Sequence, residues 1–190
     1  MKEEINNLLN KYFDEFKDER NYLKELLDFV LLTPSEDLTN WNNFNGHIVA
    51  SGFIYAKREK KFLVIYHNDF QMYVYPGGHV DNTDESILTA AVREIEEETG
   101  IKDLKQIDYF NDPLVPIDIE IHKIGYNEKL NLPEHLHFDF RYFFVIDKIE
   151  DIVLENNEVS SYKWVTVDEF KTIIHGKNVC DKIDKIISRI

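Results

Sequence analysis

The sequence predicts an α/β fold with a mixed sheet and a helical extension in front of it. Three observations carry that expectation. Alternating or continuously apolar runs at 47–56, 62–67, 117–124, 135–146 and 162–167 read as strands. The run at 75–101, YPGGHVDNTDESILTAAVREIEEETGI, reads as a strand end, a glycine-bearing loop, a helix and a glycine stop. Apolar residues recur at helical spacing through 1–33.

Within 1–33, Ile5, Leu8, Leu9, Tyr12, Phe13 and Phe16 form one stripe, and Tyr22, Leu23, Leu26, Leu27 and Val30 form a second. Two helices are expected, parted near 18–20 and ended by Pro34 and Ser35. Stripes this apolar need cover, from the same domain or from a second chain, which makes a homodimer an option. A polar linker then divides an extension over 1–44 from a domain over 45–190. Asn45-Gly46 signals a turn into the strand at 47–56, and the basic stretch 57–61 turns the chain into the strand at 62–67. Beyond 75–101, a strand is expected at 104–109, then the alternation of 117–124, a loop over 125–133 and the strand 135–146. The acidic stretch 151–159 reads as loop, with Glu155 and Glu158 exposed. After 162–167, Asp168 is placed to cap a helix over 169–175, Gly176 to end it, and 181–190 to form a short amphipathic helix.

Composition narrows the function classes. A chain of 190 residues is long enough for one domain with its own core. Its net charge of 22 − 36 = −14 speaks against binding to a nucleic-acid backbone, although a small phosphorylated substrate can still be held where a metal ion neutralises it locally. No apolar run reaches the roughly 20 residues that span a bilayer, and the start MKEEINNLLN lacks a signal-peptide core. Cys180 is the single cysteine, so no internal disulfide can form and a cytoplasmic setting is expected.

The helix in 75–101 carries the chemistry. Pro76, Gly77 and Gly78 imply a sharply shaped loop; Asn82 or Asp84 is placed to cap the helix, with Glu85 in its first turn and Gly100 as its stop. Ile87, Leu88, Ala91, Val92 and Ile95 mark the buried stripe. At about 100° per residue, Glu94 and Glu98 lie one above the other at its edge. Glu97 flanks them, Arg93 sits near Glu97, and Glu96 points elsewhere. A solvated acidic face is the bland alternative, but like charges at i,i+4 repel, and partial burial raises that cost. A divalent cation removes it, and clustered carboxylates beside loop carbonyls suit Mg²⁺ or Mn²⁺.

Gly78, Glu85, Arg93, Glu94, Ile95, Glu97, Glu98, Gly100 and Ile101 stand in the order of the Nudix box, and the segment resembles it. One departure is the spacer: six residues separate Gly78 from Glu85 where the pattern has five. Either the loop is longer by one, or Asp84 takes the glutamate's place. The resemblance implies an α/β/α sandwich and Mg²⁺-dependent hydrolysis of a nucleoside diphosphate linked to another moiety. It implies Glu94, Glu97 and Glu98 as metal ligands with a carbonyl of the Gly77–Gly78 loop, Arg93 as the residue that orients them, and Gly77, Glu85 and Gly100 as residues that shape the box. A nucleotide-sensing or protein-binding module, or an isomerase of diphosphates, would use the same fold. Such modules tend to lose box glutamates, and this sequence keeps them.

The later strands offer a second set of candidates. Asp118, Glu120 and His122 share one face of their strand; His135, His137, Asp139 and Arg141 share a face opposite Leu136, Phe138, Phe140 and Tyr142. Pattern alone leaves open whether these polar faces meet solvent or substrate. The residue types favour substrate, with donors, acceptors and a phosphate-binding fork in alternation, so Glu120, His135, His137 and Arg141 are the substrate-binding candidates. They are then expected on the same side of the sheet as the box carboxylates. The general base is expected among the box glutamates, Glu120, His135 and His137. A His-x-His pair can bind zinc, but a lone cysteine and no spaced partner motif speak against a structural zinc site here. Trp41, Phe44, Tyr73, Tyr75 and Phe110 are available to stack on a base, although each reads equally as core.

Overall fold

Strand β1 (His47–Ala56) is the axis of the sheet. The structure, a computed structural model, describes residues 1–128, 131–154 and 158–190; Glu155 and part of the expected loop 125–133 lie outside them. Strand β7 (His135–Ile146) runs parallel to β1 along its whole length, from His47↔His137 to Ala56↔Ile146. The opposite edge of β1 forks. Its first half pairs with the short β4 (Gly77–His79), its last two residues with β2 (Lys61–His67). Strand β3 (Met72–Val74) and β8 (Val159–Thr166) flank β2, while β5 (Lys105–Gln106) and β6 (Asp118–Ile124) share the outer edge of β7. One parallel pair among antiparallel ones makes the sheet mixed, as expected.

Helices cover both faces. On one, α1 (Lys2–Glu15), α2 (Lys24–Leu32) and α3 (Ile87–Thr99) share a core with Ile48, Ala50, Phe138, Phe140 and Phe144. On the other, α4 (Val167–Ile173) and α5 (Val179–Ile187) pack on Phe53, Tyr55, Phe62 and Phe143. The result is the α/β/α sandwich. The stripe of α1 is buried within this chain, as are Leu23, Leu26 and Val30, so the apolar surface that suggested a homodimer is covered without one. Tyr22, by contrast, is exposed.

Three local expectations are corrected. The cap of α3 is Ser86, in a capping box with Thr89, rather than Asn82 or Asp84, because Asp84 is drawn into an ion pair with Arg93. The cap of α4 is Thr166, whose side chain and that of Glu169 satisfy each other's backbone N–H groups, so the helix starts before Asp168. The strand expected over 104–109 shrinks to Lys105–Gln106, since β6 already occupies most of that edge of β7.

Candidate active site

The box is positioned by the close fit of α3 on the sheet. A Cβ on Gly52 would stand 2.6 Å from Ile95 Cδ1, so only glycine in β1 lets the helix lie this near. A Cβ on Gly78 would come within 2.6 Å of the Glu94 carboxylate. The bare backbone of β4 therefore forms the floor against which the helix presses its acids. Gly100, at φ 72, ends α3 in the left-handed conformation expected of it.

Of the three box glutamates, Glu98 is buried at that floor and Glu94 is half-buried. Glu98 is 3% exposed and accepts a hydrogen bond from the Gly77 N–H at 2.9 Å; among the described residues it makes no ion pair. Glu94 pairs with Arg93 at 2.9 Å. Burial pushes Glu94 up to about 7 and Glu98 up to about 8, and the mutual repulsion of the box glutamates adds to it. Glu97 reaches outward, exposed, and meets Arg93 at 3.2 Å. Glu96 faces solvent and pairs with Lys102. Glu158 contributes negative potential at Glu98, a neighbour that its place in an acidic loop 60 residues downstream did not announce.

Arg93 is the hub of this acidic cluster. Its Nε and Nη2 donate to Asp84 at 3.1 and 2.9 Å, Nη1 donates to Glu94 and Glu97, and Nη2 also donates to the carbonyl of His79. The six-residue spacer is thereby resolved in geometry: Asp84 grips the arginine, and Glu85 is exposed. Carboxylate oxygens packed beside a backbone floor, with one guanidinium among Asp84, Glu94, Glu97 and Glu98, fit a hard divalent cation.

The substrate-binding candidates lie elsewhere. Phe138, Phe140, Tyr142 and Phe144 of β7 share a core with Ile87, Ala90, Ala91 and Ile95 of α3, so His135, His137, Asp139 and Arg141 point to the opposite face. They are not on the side of the box helix, as had been expected. Arg141 is 0% exposed; it pairs with Asp118 at 3.1 Å and Asp139 at 3.2 Å, and donates to the His175 carbonyl. Lys182 extends this network to Asp118, Glu19 and the Tyr12 hydroxyl. Glu120 is buried and accepts from the Tyr22 hydroxyl. His135 and His137 gather with His47 and His79. His135 also lines an open cleft of about 650 Å³ with Phe44, Tyr22 and Lys123.

Glu98, buried, and Glu94, half-buried, pressed against a Gly-Gly strand give a carboxylate site of the kind that holds a divalent cation. A family model of the NUDIX domain matches residues 46–182, and the chain belongs to the NUDIX family. A probable DHNTP pyrophosphohydrolase of Lactococcus lactis subsp. cremoris (strain MG1363) is 27% identical over 156 residues, which cover 82% of this chain and 89% of that protein. An RNA pyrophosphohydrolase of Pelagibacter ubique (strain HTCC1062) is 29% identical over 148 residues, 72% of this chain and 91% of that one. The solved E. coli dihydroneopterin triphosphate pyrophosphohydrolase has the same fold, with a TM-score of 0.55 at 18% identity over 75% of this chain and 96% of its own.

Proposed function

We propose that this chain is a Mg²⁺-dependent pyrophosphohydrolase of small nucleoside diphosphate derivatives, with Glu94, Glu97, Glu98 and the Gly78 carbonyl as the metal ligands. The observation that carries the reading is the close set of carboxylates at the floor of β4, with Glu98 buried and Glu94 half-buried against Gly77 and Gly78, where burial raises both toward neutrality. When bound, Mg²⁺ (or Mn²⁺) neutralises the diphosphate oxygens and makes water a better nucleophile. Arg93 holds the side chains of Glu94 and Glu97 in position, and Asp84 holds Arg93 in turn. The general base is sought among the box glutamates, at a carboxylate that the metal leaves free to accept a proton from the attacking water. Burial of Glu98 keeps its carboxylate out of bulk water, which would screen its attraction for a bound cation.

The moiety beyond the diphosphate is assigned to no pocket on the box side. The cleft beside His135 and Phe44 supplies an aromatic ring and an imidazole, which suit a planar group, while its Lys123 ammonium is already paired with Glu134 at 2.9 Å. Arg141 and Glu120, buried and engaged within the protein, support the structure behind it rather than the substrate. The lone thiol of Cys180 supports a reducing, cytoplasmic setting.

The test is a hydrolysis screen with Mg²⁺ over nucleoside triphosphates, ADP-ribose, NADH, dinucleoside polyphosphates and nucleotide sugars, followed by two matched variants. Glu98→Gln should lower kcat on the best substrate by about 10²–10³. Glu96→Gln, two residues along the same helix, should leave it near wild type. Equal activity in the two variants removes the box glutamates from the mechanism.

A further inference from the structure

Four imidazoles from three strands meet on the sheet face away from α3. His47 opens β1, His79 closes β4, and His135 and His137 begin β7. Their ring centroids lie 4.6 Å apart for His47 and His137, 5.0 Å for His47 and His79, and 5.6 Å for His79 and His137. One ring nitrogen from each of these three lies within 4.8 Å of the others. A tetrahedral zinc ion, with Zn–N bonds of about 2.0–2.1 Å, needs nitrogens about 3.3 Å apart, which small ring rotations supply.

The hydrogen bonding around the cluster leaves lone pairs turned inward. His47 is 1% exposed; its Nδ1 lies 3.5 Å from the Asn43 carbonyl, which fixes the proton there. Its Nε2 is then a bare acceptor, and it is buried with no hydrogen-bond partner. A buried acceptor left in that state is costly, and a metal ion would satisfy it. His135 also has Nδ1 against a carbonyl, 2.8 Å from that of Pro133, and its Nε2 lies 3.1 Å from Nε2 of His137, where one of the two nitrogens donates a proton that a metal ion would replace. A carbonyl on the far nitrogen of a histidine is the usual outer support of a metal-ligating imidazole.

We propose that His47, His79 and His137 form a site for a zinc-class divalent cation, tying β1, β4 and β7 together beside the Gly77–Gly78 floor of the box. The fourth position falls to His135 or to water. The site differs in kind from the box: imidazole nitrogens select a borderline metal such as Zn²⁺, whereas the carboxylates of α3 suit hard Mg²⁺. The rings are also held in the form that ligates. Burial and then the neighbouring imidazoles lower His47 to about 4 and His137 to about 2, so both are neutral at pH 7. The His135-x-His137 pair is the one part of this site visible in the sequence, where the lack of a spaced partner motif spoke against zinc; His47 and His79 come from separate strands, so no spacing announces them. Only the β1–β4 and β1–β7 pairings unite them.

The experiment uses the full-length protein freed of metal with a chelator and titrated with Zn²⁺ alone, in excess Mg²⁺ to fill the box, by calorimetry. Replacement of Zn²⁺ by Co²⁺ reads the ligand set through its visible absorption. Wild type should bind one Zn²⁺ and give the intense bands of a tetrahedral, nitrogen-ligated Co²⁺. His79→Asn and His137→Asn should each weaken Zn²⁺ by at least about 100-fold and abolish the bands. Glu98→Gln should keep both. His79 is exposed, so His79→Asn carries the test should His137→Asn fail to fold. Two results overturn the site: no Zn²⁺ bound by wild type in excess Mg²⁺, or Zn²⁺ binding that survives His79→Asn undiminished, whatever Glu98→Gln does.

Discussion

Two clusters of buried charge sit on opposite faces of the sheet, and they are balanced differently. Behind β7, Asp118 lies between Lys182 at 2.7 Å and Arg141 at 3.1 Å, and Asp139 takes Arg141, the Ser51 hydroxyl and the Tyr75 hydroxyl. Burial pushes Asp118 only up to about 6, so it stays ionised at pH 7, and Asp139 is held well below the usual carboxylate range against its own burial by His122 and Arg141. Beneath α3, Glu94 shares one arginine with Asp84 and Glu97, and Glu98 has a single backbone N–H. Both move the other way, toward neutrality. The first cluster brings its own cations and holds the protein together. The second is short of positive charge where the fold presses it against bare backbone, and that shortage makes it a site.

The largest effect should come from breaking the balanced cluster. Arg141→Met leaves Asp118 and Asp139 buried without their shared guanidinium, and removing one partner of such a pair costs about 3–5 kcal/mol. Urea denaturation of the variant measures it. A loss as small as that of a surface substitution would mean the two clusters do not differ in kind.

A smaller effect sharpens the second cluster from within. Asp84→Ala removes the forked grip on Arg93 and should cost about 1.5–3 kcal/mol of stability, the range for hydrogen bonds to charged groups, with kcat falling alongside. Glu85→Ala should stay within about 0.5 kcal/mol of wild type. The reverse ranking would give the glutamate of the box pattern its usual place and make the Asp84–Arg93 contact incidental.

Much of this was legible in the sequence, for physical reasons that also mark the limit. The bounds of β1 and β7 follow from continuous runs of apolar and alternating residues ended by Asn45-Gly46 and the acidic turn after Ile146. The direction of Glu94 and Glu98 follows from helical geometry alone. The roles of Asp84 and Ser86 did not, because both are good caps by type and only the reach of Arg93 separates them. Nor did the fate of Arg141. Alternation places it on a face with His135 and His137, but the His175 carbonyl that it donates to, and Lys182, which shares Asp118 with it, arrive from the turn before α5 and from α5 itself, more than 30 residues later, to seal that face. Pattern assigns a side chain to a face; it does not say what will cover that face.

The central claim is that Glu98 is a buried carboxylate that wants a cation, and denaturation of the metal-free protein across pH tests it most directly. A glutamate raised from 4.5 to about 8 binds more protons folded than unfolded between those values, so its contribution to stability is present below about pH 4.5 and is lost as pH rises through about 8. Metal-free wild type should therefore lose stability relative to Glu98→Gln between about pH 5 and about pH 9. Mg²⁺ at the upper end should restore wild type and leave Glu98→Gln unchanged. Parallel pH curves for the two proteins, with no gain from Mg²⁺ in wild type, would contradict the claim.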